Sequence, residues 1–282
     1  MKKLYGVMGD PIKHSMSPDI HNDAFSRAAL MSEYVLFHVT SDHLGDAVRG
    51  ARALGIGGFN VTVPHKTAII PYLDEVDGLA GTIGAVNTVK NEDGRLIGYN
   101  TDGPGYIRAL KEKVGGSLAD RRILLIGSGG AARGIFFTLM KDGVLQTDIG
   151  NRTLSKAEAL IEDCPYGNGE SRALSLEEAG TRLRDYDIII QTTSSGMSPL
   201  TDEVPLRIDG GLKGGVLVSD IIYNPLETEF LKQARSFGAA VQNGVDMFVY
   251  QAALAFEIWT GIYPDTEAMR NIVLRKLGGK QC

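Results

Sequence analysis

The stretch Arg122-Ile-Leu-Leu-Ile-Gly127-Ser128-Gly129-Gly130-Ala131-Ala132-Arg133 decides the fold. Four apolar residues stop at a glycine cluster, and Gly134-Ile-Phe-Phe-Thr-Leu-Met140 then reads as a helix, so the segment is strand, tight turn and helix. Gly127-x-Gly129-x-x-Ala132 has the spacing of a dinucleotide fingerprint. In that pattern the first glycine permits the turn, the second lets backbone approach a pyrophosphate, and the alanine lets helix pack on strand. The phosphates would rest on the unpaired amides of the helix N-terminus, making residues 127 to 132 candidate cofactor contacts. A glycine-rich turn without a ligand shares this spacing, and the next strand separates the two readings.

Gln146 to Gly150 reads as that second strand, and Asn151-Arg152-Thr153 follows it, with Lys156 close behind. An NAD site places a carboxylate here for the ribose hydroxyls. An arginine fork instead holds a 2′-phosphate, and Lys156 adds a second positive charge. Cations in a first helical turn are disfavoured unless an anion offsets the dipole. The residues therefore point to NADP. Apolar strands at Tyr186 to Gln191, Gly215 to Ser219 and Ala239 to Gln242 alternate with helices at Ser175 to Arg184 and Glu227 to Phe237, the pattern of a parallel sheet buried on both faces. Tyr223 follows the second of these strands. Asn243-Gly244 forms a turn, with Asp246 placed to cap a long helix reaching Thr260. On that helix Gln251 falls off the apolar stripe and reads as surface. A last helix spans Thr266 to Leu277.

Upstream, Leu4 to Gly9 is a strand running into Asp10-Pro-Ile-Lys-His-Ser15-Met-Ser17-Pro18. Ser17 and Pro18 form an N-cap and N1 pair for a helix from Asp19, which leaves Ser15 unexplained by capping. Two hydroxyls beside a helix N-terminus also suit a small carboxylate. In Gly57-Gly-Phe-Asn60-Val-Thr62-Val-Pro64-His-Lys66, Asn60 and Thr62 share a strand face. Pro64 is expected to open a helix that sets Lys66 against its dipole. Asp74 to Ala80 reads as a short helix, and Gly84-Ala-Val-Asn87-Thr-Val-Lys90 and Arg95 to Tyr99 as strands joined by the turn Asn91-Glu-Asp-Gly94. Thr101 and Asp102 follow, and Asp102 has a capping reading as well as a functional one. Six polar residues, Asn60, Thr62, Lys66, Asn87, Thr101 and Asp102, thus fall at strand ends, where α/β sheets bind ligands.

The composition bounds these readings. A chain of 282 residues is natural for two domains, and 43% hydrophobic with 22% charged residues is that of a globular protein. The net charge of −5 argues against general nucleic-acid binding, so anionic ligands need local positive groups. No apolar run reaches a membrane span and no signal-peptide core opens the chain, which leads to an expectation of a cytoplasmic protein. Cys164 and Cys282 have no metal-ligand spacing and are too few for a disulfide framework; no metal site is expected.

Taken together, Gly9-Asp-Pro-Ile-x-His-Ser15-x-Ser17-Pro18, Asn60-Val-Thr-Val-Pro-x-Lys66, Gly84-Ala-Val-Asn87-Thr, Asn100-Thr-Asp102-Gly, Gly127-x-Gly-Gly-Ala-x-Arg133, Asn151-Arg-Thr and Gln251-Ala-Ala resemble the shikimate dehydrogenase family nearly end to end. The resemblance implies two α/β domains: a substrate domain of residues 1–102 plus 245–282, to which the C-terminal helices return, and a Rossmann-type NADP domain of residues 103–244. It implies reversible NADPH-dependent reduction of 3-dehydroshikimate to shikimate, on the route to aromatic amino acids, by a monomer or homodimer. Carried over by position, Lys66 and Asp102 look like the catalytic pair. Ser15, Ser17, Thr62 and Tyr223 look like the carboxylate side, and Asn60, Asn87, Thr101, Asp102 and Gln251 like partners of the ring oxygens. Residues 127 to 132, Asn151, Arg152, Thr153, Lys156 and the region of Gly244 look like cofactor contacts. Ser128, where alanine is usual, and Val245-Asp246-Met247 depart from the family pattern away from the catalytic pair. Two alternatives stand beside this reading. A quinate/shikimate dehydrogenase using NAD would carry a carboxylate in place of Arg152, and a non-catalytic metabolite sensor would have little need of an intact Lys66 and Asp102.

Overall fold

A computed structural model describes residues 2–167 and 169–278; Cys282 lies outside them. The chain divides into two compact units, one built from the first 105 residues and Val249–Lys276, the other from Tyr106–Phe248. Among the described residues no helix is long and apolar enough to cross a membrane.

The first unit opens with β1 (Lys3–Gly9), α1 (Ser17–Arg27), β2 (Ser32–His38), α2 (Leu44–Ala53) and β3 (Gly58–Val61). It continues through β4 (Glu75–Val76), α3 (Gly78–Ile83), β5 (Thr88–Glu92) and β6 (Arg95–Tyr99), and α4 (Asp102–Val114) begins in it. The sheet order is β2-β1-β3-β5-β6-β4. β1, β2 and β3 are parallel, whereas β5 runs antiparallel to both β3 and β6. The β5–β6 hairpin turns through Asp93 and Gly94, both at positive φ, the geometry that matches strand twist in a two-residue loop. One face of the sheet buries Met8, Phe59, Val61, Val89 and Leu96 against Leu44, Val48 and Ala51 of α2.

Two sequence expectations are corrected here. Asp74 to Ala80 is not a helix: Glu75–Val76 pairs with β6, and α3 starts later, capped by the Asp77 carboxylate accepting from Leu79 N. The segment after Pro64 is a series of turns ending in a 3₁₀ turn at Ile70–Tyr72. Pro71 has no N–H and disfavours a helical residue before it, so a helix from Pro64 has no room to propagate. The Lys66 carbonyl is taken instead by Val86 N, at 2.8 Å.

The second unit holds the rest of α4, then β7 (Arg122–Ile126), α5 (Gly130–Lys141), β8 (Gln146–Gly150), α6 (Leu154–Glu162) and β9 (Ala173–Leu174). There follow α7 (Leu176–Thr181), β10 (Ile188–Gln191), β11 (Leu217–Asp220), α8 (Glu229–Ser236) and β12 (Ala240–Gln242). α9 (Val245–Thr260) begins here and ends in the first unit, followed by α10 (Thr266–Gly278). The sheet order is β12-β11-β10-β7-β8-β9 with every pairing parallel. Counted from β7, that is the doubly wound 6-5-4-1-2-3 order, whose switch point lies between β7 and β10. The expected cap at Asp246 is also corrected: Asn243 Oδ1 accepts from Val245 N, and Asp246 sits inside the first turn.

In the first unit the opposite sheet face is aromatic. Tyr5 packs on Phe25 and Trp259, and the Trp259 indole donates to the Val89 carbonyl at 2.9 Å. Into this cluster α1 inserts His21, fully buried, stacked on Tyr34 at 4.4 Å and tilted against Trp259. Neither ring nitrogen has a partner among the described residues, and burial pushes its pKa down to about 3. A histidine held neutral contributes full stability above its ordinary value near 6.5 and loses it as pH falls towards the depressed value. At pH 5 this linkage amounts to about 2 kcal/mol. His21→Phe keeps the stack without a group to protonate. Thermal unfolding at pH 7.5 and pH 5 should therefore show a smaller acid loss in the variant than in the wild type, and parallel losses would assign the acid sensitivity elsewhere.

Candidate active site

In the first unit Asn60, Lys66, Asn87, Thr101 and Asp102 share one hydrogen-bonded cluster. Lys66 Nζ donates to Asp102 Oδ2 at 2.6 Å, with side-chain exposures of 33% and 19%. Asn87 Nδ2 donates to Asp102 Oδ1 and to Thr101 Oγ1, both at 2.9 Å. Asn87 Oδ1 accepts from Thr101 N at 2.8 Å and from Thr88 Oγ1 at 3.1 Å. Asp102 is not the cap of α4 but its first residue; Asn100 Oδ1 accepts from its N–H, which frees both carboxylate oxygens for Lys66 and Asn87. A carboxylate in a first turn is favoured by the helix dipole.

Lys66 does not lie in the first turn of a helix of its own, contrary to the expectation for the segment after Pro64. Its place is fixed by neighbours. His65 is buried and its Nε2 lies 2.6 Å from the Val39 carbonyl, which can only accept; Nε2 therefore carries the proton. Ile69, four residues on, is fully buried, and its N–H closes one turn onto the His65 carbonyl. The ammonium is thus presented on a short braced turn, with two of its three donors left for a ligand.

Asn60 is buried and donates to the Asn87 carbonyl at 3.1 Å and to Thr88 Oγ1 at 3.0 Å, while accepting from the Tyr34 hydroxyl at 2.7 Å. Ser17 is the first residue of α1, not its cap: Ser15 Oγ accepts from Ser17 N at 3.3 Å, and the two hydroxyls lie 3.2 Å apart. The residue unexplained by capping is the one that supplies it. Thr62 is half-buried beyond the end of β3. Gln251 is half-buried rather than surface, because a Cβ at Gly105 would come within 2.6 Å of its backbone nitrogen, and the two helices therefore approach closely there. Tyr34 and Thr88 were missed by the sequence reading. Both are uncharged residues inside strands, with nothing in their local spacing to separate them from core.

In the second unit Gly127 has φ +112°, and a Cβ there would lie 2.6 Å from Thr192 Oγ1 after β10, so only glycine fits at the switch point. Gly129 and Gly130 are exposed, with nothing within 4 Å of where a Cβ would stand. Gly129 precedes α5 without a side-chain cap, so the helix amides are open to an anion, while Ala132 is fully buried. Ser128 and Ala131 are half-buried on either side. α6 likewise has no side-chain cap at Thr153, and Asn151 Nδ2 donates to the Thr153 carbonyl at 2.8 Å. Arg152 and Lys156 are exposed and form no ion pair with any described residue. An uncapped helix with two unpaired cations is the donor set a 2′-phosphate needs. The residues present fit NADP.

Tyr223 lies in this unit, half-buried on Phe248 at 5.2 Å, and burial raises its phenol pKa. Its loop hangs from Asp220, buried at the end of β11, which accepts from Ile222 N and Thr228 Oγ1. Burial pushes the Asp220 carboxyl up to about 6 against those two bonds. Gly244 supports the same loop: a Cβ there would stand 2.0 Å from the Ile221 carbonyl oxygen.

Comparisons with known proteins place the chain in one family. Residues 7–89 match the shikimate dehydrogenase substrate binding domain, residues 109–218 the shikimate / quinate 5-dehydrogenase family, and residues 244–274 the shikimate 5′-dehydrogenase C-terminal domain. The shikimate dehydrogenase (NADP(+)) of Bacillus anthracis is 56% identical over 279 residues, covering 99% of this chain and 100% of its own. A crystal structure of shikimate dehydrogenase in complex with NADP+ superimposes with a TM-score of 0.90 at 44% identity, covering 98% of this chain and 96% of the other. The Listeria monocytogenes shikimate 5-dehydrogenase in complex with shikimate and NAD gives 0.90 at 37% identity, covering 96% of each chain. The chain belongs to the shikimate dehydrogenase family.

Proposed function

We propose that this protein catalyses the reversible NADPH-dependent reduction of 3-dehydroshikimate to shikimate, with Lys66 and Asp102 as its acid–base pair. The observation that carries this reading is the Lys66–Asp102 ion pair at 2.6 Å, braced by a buried Asn87. When bound, NADPH supplies the hydride that reduces the ketone carbon. Negative charge then develops on the ketone oxygen, where the Lys66 ammonium stabilises it and delivers a proton; in the oxidative direction neutral Lys66 accepts the alcohol proton. Asp102 holds the ammonium in place, and its two oxygens retain lone pairs to orient a substrate hydroxyl. Ser15, Ser17 and Thr62 offer neutral hydroxyls to the substrate carboxylate, and Asn60 and Thr101 offer groups to ring oxygens. Gly129, Gly130 and the open amides of α5 would hold the pyrophosphate, and Arg152, Thr153 and Lys156 the 2′-phosphate. Both ligands are charged metabolites of central biosynthesis, so the reading includes a cytoplasmic location.

The test is spectrophotometric: NADP reduction should be robust with shikimate, and weaker with quinate or with NAD. A charge-assisted bond contributes roughly 1.5–3 kcal/mol, so Arg152→Ala should weaken NADP about 10- to 100-fold while leaving NAD nearly unchanged. Equal losses for both cofactors would remove the phosphate assignment. Lys66→Ala should lower turnover ~10²–10⁴-fold with NADP affinity intact. Asp102→Ala should act similarly, and the double variant should lose far less than the product of the two, because the groups work as a unit. Turnover near wild type in a folded Lys66→Ala would sink the mechanism.

A further inference from the structure

Three side chains on one face of α1 hold Tyr34. Asn22 clamps its backbone from both sides, donating to the Tyr34 carbonyl at 2.9 Å and accepting from its N–H at 2.8 Å. His21 stacks on its ring. Ser17 lies beside its phenol oxygen. Tyr34 itself is 1% exposed, and its hydroxyl ends 2.7 Å from Asn60 Oδ1.

The chemistry of these contacts settles which way each hydrogen bond runs. The Asn87 carbonyl can only accept, so the Asn60 atom facing it is nitrogen. The other end of that amide is then oxygen, and Tyr34 must donate to it. Burial keeps the phenol protonated well beyond neutral pH, so the donor is permanent. Both Asn60 N–H groups are spent, on the Asn87 carbonyl and Thr88 Oγ1, and one Oδ1 lone pair is spent on Tyr34. One lone pair is left. Asn87 has none to spare, since its two N–H groups serve Thr101 and Asp102 and its oxygen serves Thr101 N and Thr88. Donation therefore runs one way, from Tyr34 through Asn60, Thr88 and Asn87 to Asp102.

We infer that Tyr34 is a positioning residue that, together with the Asn87 carbonyl and Thr88, locks Asn60 as a pure acceptor with one lone pair left, so that the substrate site selects a ring hydroxyl, which can donate, over a keto or ether oxygen at that place. This rests on the shikimate dehydrogenase reading of the same site, with Asn60 touching substrate and Tyr34 acting through it.

Steady-state kinetics of shikimate oxidation by NADP test the inference in a double-mutant cycle of Tyr34→Phe and Asn60→Ala, with thermal unfolding as the folding control. Tyr34→Phe keeps the ring stack and should raise KM for shikimate roughly threefold to tenfold, with kcat within about twofold and KM for NADP unchanged. The double variant should match Asn60→Ala alone, because without the amide the hydroxyl has nothing to act through. An unchanged KM in Tyr34→Phe, or penalties that multiply in the double variant, overturns the inference and leaves the functional reading standing. Absence of shikimate turnover in the wild type removes that reading and the inference with it. If Tyr34→Phe does not fold, Tyr34→Met, which also removes the hydroxyl donor, serves instead; it should raise KM for shikimate at least as much, and an unchanged KM there overturns the inference equally.

Discussion

The orientation of one buried amide, that of Asn87, is the constraint on which the first unit's chemistry depends. Its oxygen is tied to the backbone N–H of Thr101, so the amide cannot flip without leaving that donor unpaired in the interior. Once the oxygen is fixed, the nitrogen must face Asp102 and Thr101, which sets one carboxylate oxygen and leaves the other to Lys66. A lysine on a turn and an acid on a helix would otherwise be two flexible groups. Here their separation is set by a strand-end amide whose own position comes from the antiparallel pairing of β5 with β3 and β6. The fold acts on the reaction by limiting rotation about a few side-chain bonds.

Much of this was legible in the sequence because it is local. The glycine loop, the Asp93-Gly94 hairpin and the alternation of strands with helices are written in contiguous residues whose spacing has one economical reading. Lys66, Asn87 and Asp102 were legible as candidates because the strand ends of α/β sheets are where ligands bind. What was not legible is long-range. Tyr34 and Asn60 are 26 positions apart, and only the β2-β1-β3 order brings their side chains together. The helix expected after Pro64 failed for a related reason: Val86 N competes for the Lys66 carbonyl, and that competitor lies on a distant segment. Capping was misassigned three times, at Ser17, Asp102 and Asp246. In each case the side chain that accepts from the first helical N–H groups lies two or three positions upstream of the named residue.

Helix capping also separates stability from function in the second unit. α7 and α8 are closed by Ser175 and Thr228, whose hydroxyls accept from backbone N–H groups three residues on. α5 and α6 have no such closure, and they follow the two strands nearest the switch point on that side of the sheet. A side-chain cap is typically worth about 1 kcal/mol, and its absence at α5 and α6 leaves amides whose natural complement is a phosphate. Local rules are broken where a ligand would restore them.

The two anionic ligands are met by opposite electrostatic strategies. At α6 the chain sets out two unpaired cations in solvent, a solution suited to a dianionic phosphate whose attraction acts at a distance. In the first unit Lys66, the cation named among the candidate substrate groups, is already paired with Asp102, and the proposed carboxylate side is built from hydroxyls. Hydroxyls can turn their protons towards a carboxylate when it arrives and towards each other when it leaves. They therefore avoid burying an uncompensated positive charge in the free protein, which would cost far more than a neutral group. Recognition of the substrate anion then depends on geometry rather than on net charge. The placement of Ser15 and Ser17 at the start of α1, tied together by the Ser17 N–H, suits that requirement, since neutral donors discriminate only when they cannot move to suit another ligand.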